Sequence, residues 1–173
     1  MNVFSKTIKL DLKKEYKILV ISDTHAIDVN SEMDLIKENG WIQRKKYFAN
    51  FYNQNYDDKY NKLSSICCLN ELIDYSNKEK PDLLIFCGDI IDYCNDYNNQ
   101  LLKNTLNSIS IPYMFVNGNH DNGIDCNAFQ VREFRDFVII GIDNSKKKIT
   151  EDVLNQFKEY LNKRIILAIH IPI

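Results

Sequence analysis

Residues 83–92 read Leu-Leu-Ile-Phe-Cys-Gly-Asp-Ile-Ile-Asp, an apolar run that changes abruptly into glycine and carboxylates. The run 83–87 is short, continuous and apolar, as is typical of a strand buried inside a sheet. Gly88 permits a tight turn after that strand, so that Asp89 and Asp92 can point into a cleft. Because open α/β sheets bind ligands at the carboxyl ends of their strands, this segment predicts a functional site on such a sheet.

Strands that end in polar, metal-binding side chains recur along the chain. Three further apolar runs are predicted as strands and are each followed by such groups: 16–22 by Asp23-Thr-His25, 113–116 by Asn117-Gly-Asn-His-Asp121, and 165–169 by His170. Every histidine of the chain lies at one of these strand ends, so we expect the four polar segments to meet in one cleft.

Segments with apolar residues at helical spacing separate the predicted strands. They are 63–75, 101–109 and 150–164, the last with Thr150 as its N-cap. An edge strand at 7–12 and a strand at 134–142, pairing as a hairpin with 129–132, complete the assignment. Since strands alternate with helices, the sequence predicts the α/β class.

The residue types in the four polar segments favour a particular kind of metal site. Carboxylate, imidazole and amide oxygen together suit borderline divalent ions such as Mn, Fe or Zn. No cysteine belongs to the set, which disfavours a structural zinc site. Asp89 has two carboxylate oxygens and can bridge two metal ions, and two ions about 3.5–4 Å apart suit in-line displacement at phosphorus.

Taken in order, the four motifs resemble the calcineurin-like metallophosphoesterase superfamily. They are Asp23-x-His25, Gly88-Asp-x-x-Asp92, Gly118-Asn-His-Asp121 and the lone His170, and the resemblance spans residues 16–173. It implies a two-sheet sandwich flanked by helices and two divalent metal ions of Mn, Fe or Zn. It also implies a phosphoester substrate, hydrolysed as a mono- or diester by a metal-bridging hydroxide.

The resemblance implies a role for each position of these motifs. The implied metal ligands are Asp23 and His25 for the first ion, Asn119 and His170 for the second, and Asp89 as the bridge. His120 is implied as the catalytic residue and contacts the substrate phosphate together with Asn119. Asp92 is implied to orient His120 and keep it protonated, which agrees with electrostatics because a nearby carboxylate favours imidazolium.

One motif of the superfamily is missing. The family pattern ends in Gly-His-x-His, and the sequence stops at Ile173 with no histidine after His170. We therefore expect residues 1–173 to be an incomplete phosphoesterase domain, truncated at its C-terminus and holding the first part of the fold only. The alternative from another functional class is an inactive fragment or binding module that retains the fold.

Several residues have plain structural interpretations beside the functional ones. Asp121 suits a turn residue as well as a catalytic one, and His170 suits a buried core histidine as well as a ligand. Asp143 and Asn144 follow a predicted strand, where a hairpin or loop role is favoured over a place in the cleft. The aromatic-rich insertion 41–60 suits a helix packed on the domain better than a platform that stacks a base or aryl group.

Composition narrows the function classes further. The chain has 173 residues and a formal net charge of −2, so a nuclease of the same superfamily is only an alternative and nucleic acid is not the expected partner. No apolar run is long enough for a membrane span. Five cysteines without a Cys-x-x-Cys pair predict free thiols in a cytoplasmic protein, and the overall composition is of a bacterial kind. The substrate and the oligomeric state stay open.

Overall fold

Two three-stranded sheets form the centre of the computed structural model, which describes residues 7, 12–51, 63–121 and 125–172. The first sheet is parallel, in the order β1 (Ile18–Ile21), β2 (Leu83–Cys87) and β3 (Tyr113–Val116). The second sheet contains β4 (Phe129–Glu133), β5 (Val138–Ile142) and β6 (Ile165–Ala168). In it, β4 and β5 pair as the predicted antiparallel hairpin, and β5 pairs in parallel with β6.

Four helices lie in the described part of the chain. They are α1 (Glu32–Phe51), α2 (Ser65–Glu79), α3 (Asp96–Asn107) and α4 (Glu151–Lys158). The predicted N-cap of α4 is confirmed, because the Thr150 side chain accepts a hydrogen bond from the Val153 amide. None of the described helices is long and apolar enough to span a membrane.

The side chains of the first sheet alternate between two apolar layers, as the two-residue period of a strand requires. From β2, Leu83 and Ile85 face the second sheet, where they pack near Ile139. Leu84 and Phe86 face the opposite way, towards helices α2 and α3. The outer face of the second sheet packs against α4. The predicted two-sheet α/β sandwich flanked by helices is therefore confirmed.

Two of the predicted buried strands are in fact edge strands of their sheets within the described residues. In β1, Val20 is 61% exposed, and in β6, Ile166 and Leu167 are 37% and 39% exposed. The error arises because a continuous apolar run predicts a strand but carries no information on its place in the sheet order. The central strands β2 and β5 have the burial expected of an inner strand, and β3 is nearly as buried although it is last in the order of its sheet.

The helix that carries Trp41 begins earlier than the aromatic insertion predicted for 41–60. It starts after Ser31, whose hydroxyl accepts a hydrogen bond from the Asp34 amide, while the Asp34 carboxylate accepts one from Asn30. This reciprocal pair resembles a capping box and fixes the start of the helix. Residues 52–60 of the insertion, and most of the predicted edge strand 7–12, lie outside the described residues.

Candidate metal centre

The two turns that follow β1 and β2 are joined along their backbones. The amide of Asp23 donates to the Gly88 carbonyl at 3.0 Å, and the amide of His25 donates to the Asp89 carbonyl at 3.0 Å. Three of these residues have left-handed backbones, with φ of 56° at Asp23, 46° at His25 and 54° at Asp89. Such angles are uncommon outside glycine and cluster at functional sites, where surrounding hydrogen bonds hold them in place.

The turn after β3 is tied to the turn after β2 by Asp121, which is fully buried. One of its carboxylate oxygens accepts from the amides of Ile90 and Ile91 at 3.0 and 3.1 Å, and the other accepts from Gly118 at 3.1 Å. Burial raises the pKa of this carboxyl, although those backbone donors oppose the shift. Of its two interpretations, the turn residue is the one that this geometry favours.

Asp89 occupies the middle of the cleft that these turns enclose. The side chain is almost fully buried, and one oxygen accepts a hydrogen bond from the His120 amide at 2.9 Å. The other oxygen, Oδ2, faces the Nε2 atoms of three imidazoles, at 3.3 Å from His170, 3.8 Å from His25 and 4.0 Å from His120. All the histidines of the chain therefore surround a single carboxylate oxygen.

The first group of possible metal ligands contains Asp23, Asp89 and His170, with one ligand atom from each within 4.8 Å of the others. The His170 Nδ1 atom lies 2.8 Å from the Cys87 carbonyl. A carbonyl can only accept, so Nδ1 carries the proton and Nε2 keeps its lone pair for a metal. That Nε2 atom is also 3.2 Å from Asn119 Oδ1.

Asn144 holds the segment that carries His170. Its side-chain oxygen accepts hydrogen bonds from the amides of His170 and Ile171 at 3.2 and 3.0 Å, and its amide group donates to the Ile171 carbonyl at 2.6 Å. The sequence favoured a plain loop role for this residue. The sequence signal for a role at the site was its position just after β5, because the end of that strand lies at the cleft.

The second group of possible ligands contains His25, Asp92 and His120, again with their ligand atoms within 4.8 Å. His120 Nδ1 contacts the backbone carbonyl of Asp92, so this ring too carries its proton on Nδ1 and presents Nε2. The Asp92 carboxylate instead lies 3.2 Å from His25 Nδ1. Asp92 therefore contacts two histidines, His120 through its backbone carbonyl and His25 through its carboxylate.

The carboxylates and imidazoles of the two groups suit divalent metal ions. His25 Nδ1 is buried and, among the described residues, has no hydrogen bond of acceptable geometry, while its ring packs edge-on against His120. Asp23 and Asp89 place two carboxylates in one group, an arrangement that a cation between them would stabilise. Oxygen and imidazole nitrogen without thiolate are the ligands that Mn, Fe and Zn share.

All seven predicted site residues thus lie in one cleft, together with the structural partners Asp121 and Asn144. A family model described as calcineurin-like phosphoesterase matches residues 16–169. The chain is also 30% identical, over 142 residues and 65% of its length, to the probable glycerophosphodiester phosphodiesterase GpdQ of Arcobacter nitrofigilis. That match covers 50% of the relative, so the chain spans about half of the length of this curated relative.

Proposed function

Because the chain belongs to the calcineurin-like phosphoesterase family, we propose that it hydrolyses phosphate mono- or diesters at a centre of two divalent metal ions. The observation that carries this proposal is the convergence of three imidazole Nε2 atoms on one oxygen of Asp89, at 3.3–4.0 Å. A carboxylate so placed suits a ligand shared by two ions. Structural histidines would more often turn to separate hydrogen-bond partners.

The assignment of ligands to the two ions follows the family pattern, whereas the structure groups Asp23 with His170 and His25 with His120. We assign Asp23 and His25 to one ion and Asn119 and His170 to the other, with Asp89 as the shared ligand. When bound, ions of Mn, Fe or Zn would supply the bridging hydroxide that attacks phosphorus and would neutralise charge on the phosphoryl oxygens. The pairing of His170 Nδ1 with the Cys87 carbonyl supports this assignment, because it orients Nε2 as a ligand.

His120 is the residue that we propose to act on the substrate. Its Nδ1 proton is held by the Asp92 carbonyl, so a second proton on Nε2 would face the phosphate and could pass to the leaving oxygen. The Asp92 carboxylate, with an oxygen within 4.8 Å of a His120 ring nitrogen, is the group that we propose to orient His120. Asn119, one residue before His120, would contact the phosphate from the same turn.

A pair of chromogenic substrates tests the proposal. With added Mn, the chain is expected to hydrolyse p-nitrophenyl phosphate or bis-p-nitrophenyl phosphate, and His120→Ala is expected to lower kcat by about 10²–10⁴-fold as a lost acid catalyst. Lys103→Ala, a change to an exposed lysine of α3, serves as the control and should keep the wild-type rate. Equal rates for wild type and His120→Ala would refute the assignment.

The same assay separates the remaining alternatives. If Mn binds but neither substrate is hydrolysed with Mn, Fe or Zn, the chain is better described as a binding module that retains the fold.

The name of the bacterial relative supports a diester as one candidate substrate. All five cysteines are thiols rather than disulfides, which supports a cytoplasmic location.

A further inference from the structure

One face of α1 carries two cations to the edge of the metal centre. Lys37 Nζ lies 3.5 Å from Asp92 Oδ2, and an Arg44 guanidinium nitrogen lies 4.0 Å from Asp92 Oδ1. Seven residues of helix turn through about 700°, so these two side chains leave α1 within about 20° of each other. The cations therefore belong to one surface, and Asp92 is where that surface meets the cleft.

This surface is fixed to the turn that carries the proposed ligands of the first ion. Trp41, which lies between the two cations on the same face of α1, donates its indole N–H to the Thr24 carbonyl at 2.9 Å. Lys37 is held a second time, since its Nζ atom lies 3.6 Å from the centre of the Tyr93 ring. The position of Lys37 relative to the metal centre is thus set by contacts of α1 with the turn after β1 and with Tyr93.

The charges on this surface do not cancel. Among the described residues, both cations pair with the same carboxylate, that of Asp92, and the side chains of Lys37 and Arg44 are 37% and 61% exposed. At this contact the cations therefore exceed the carboxylate by one charge, and an Asp92 oxygen lies within 4.8 Å of a His120 ring nitrogen. A phosphodiester carries one negative charge on its phosphoryl oxygens, and a phosphomonoester above pH 7 carries close to two.

We propose that Lys37 and Arg44 bind the phosphoryl oxygens of the substrate and select phosphomonoester dianions over diesters. Arginine suits this role because its planar fork can donate two hydrogen bonds to one phosphate, and lysine serves as a point charge beside it. The inference rests on the proposed function, since it places the scissile phosphate at His120. It adds a choice of substrate class that the metal ligands alone do not make.

The test compares two substrates in charge-removing variants at pH 8 with Mn. Lys37→Gln and Arg44→Gln are each expected to raise KM for p-nitrophenyl phosphate by about tenfold, the loss of one charge-assisted hydrogen bond, with kcat changed little. KM for bis-p-nitrophenyl phosphate should stay near the wild-type value. Lys37→Arg keeps the charge and should keep most of the affinity for the monoester, whereas Arg44→Lys keeps the charge but loses the fork and should keep only part of it.

Lys46→Gln is the matched control. Nine residues separate Lys46 from Lys37, so it leaves α1 on the opposite face and removes the same charge away from the cleft. Equal changes in KM for both substrates, no change for either, or wild-type turnover of the diester alone would overturn the inference. Turnover of the monoester alone, with KM raised by Arg44→Gln and not by Lys46→Gln, would support it.

A binding measurement separates this inference from the proposed function. If the wild type hydrolyses neither substrate, the proposed function fails, and the cations are tested by calorimetry with inorganic phosphate and the Mn-loaded protein. Phosphate affinity about tenfold weaker in Arg44→Gln than in Lys46→Gln supports the anion-binding role. Equal affinity in the two variants overturns it.

Discussion

The two sheets of this fold supply the metal centre in unequal ways. The turns after β1, β2 and β3 carry Asp23, Asp89 and His120, and they are joined to one another by backbone and carboxylate hydrogen bonds. The second sheet contributes one candidate ligand, His170, on a segment held by the side chain of Asn144. The turns after the three strands of the first sheet, called the frame below, are therefore held together by many contacts. The second sheet completes the site through the few contacts that Asn144 makes with the segment of His170.

The largest effect is expected at the centre of the frame, from Asp89→Asn. This change keeps the size of the side chain and removes the charge that we propose to be shared by both ions. Metal centres contribute several kcal/mol to transition-state stabilisation, so kcat/KM should fall by about a thousandfold or more. Calorimetric titration with Mn should show the loss of at least one bound ion. Unchanged Mn binding would contradict the role of Asp89.

A smaller effect is expected where the second sheet closes the site, from Asn144→Ala. This change leaves the His170 and Ile171 amides without their acceptor and frees the imidazole to shift. Residues that orient a metal ligand typically contribute 10–100-fold, and we expect a loss of about that size in Mn affinity and in activity. Asn144→Asp keeps the acceptor oxygen and should retain more affinity than Asn144→Ala. Equal losses in the two variants would show that Asn144 acts in another way.

The motifs of the first sheet could be predicted because their signals are local. An apolar run, a glycine and a polar cluster within ten residues, as at 83–92, specify a strand, a turn and the direction of the next side chains. What such a signal cannot specify is a partner distant in the chain. The contact of His120 with the Asp92 carbonyl, while the Asp92 carboxylate lies beside His25, depends on how two separate turns pack.

Helix α1 shows a second reason why the sequence did not predict the structure, since the start of this helix was missed. Its exposed residues include Met33 and Ile36, both 60% exposed, while Asp34 and Glu38 are buried. The Glu38 carboxylate accepts hydrogen bonds from the amide and hydroxyl of Ser65, at 2.7 and 2.6 Å. Apolar periodicity, the main signal for a helix, is thus inverted here, because the helix is anchored by buried polar contacts.

Glycine substitutions compare the packing of the two sheets directly. An alanine Cβ at Gly118 would lie 2.8 Å from Cγ of Asp89 and closer still to its backbone, which cannot yield. We expect Gly118→Ala to lower the free energy of unfolding by about 1–3 kcal/mol and to weaken Mn binding. At Gly141, in β5, the close atom is Met114 Sδ at 2.7 Å, and a flexible methionine can move.

Gly141→Ala should therefore lower the free energy of unfolding by less than about 1.5 kcal/mol and leave Mn binding unchanged. Gly40→Ala is the control, since its Cβ would have no neighbour within 4 Å and should stabilise α1 by about 0.5–1 kcal/mol. Denaturant unfolding and Mn titration of the three variants measure both quantities. An equal loss of metal affinity at Gly118 and Gly141 would show that the frame extends into the second sheet.

The smallest effect concerns two thiols, one at the end of β2 and one just before β4. Burial raises the pKa of Cys87 and of Cys126 to about 11, and the nearby Asp23 carboxylate adds to the shift at Cys87. At pH 8 a pKa of 11 leaves about two hundredfold less thiolate than an ordinary pKa of 8.5, so both should alkylate more slowly than the exposed Cys67.

Asp23→Asn should distinguish these two thiols. It removes a negative charge beside Cys87 and leaves the causes at Cys126 untouched, so it lowers the pKa of Cys87 alone. In metal-free protein at pH 8 to 9, iodoacetamide should then modify Cys87 faster than in the wild type, with the rate at Cys126 unchanged. Mass spectrometry of the labelled peptides resolves the two sites. If both rates rise together, the substitution has loosened the packing between the two sheets. The Asp23 charge is then not the cause of the difference between Cys87 and Cys126.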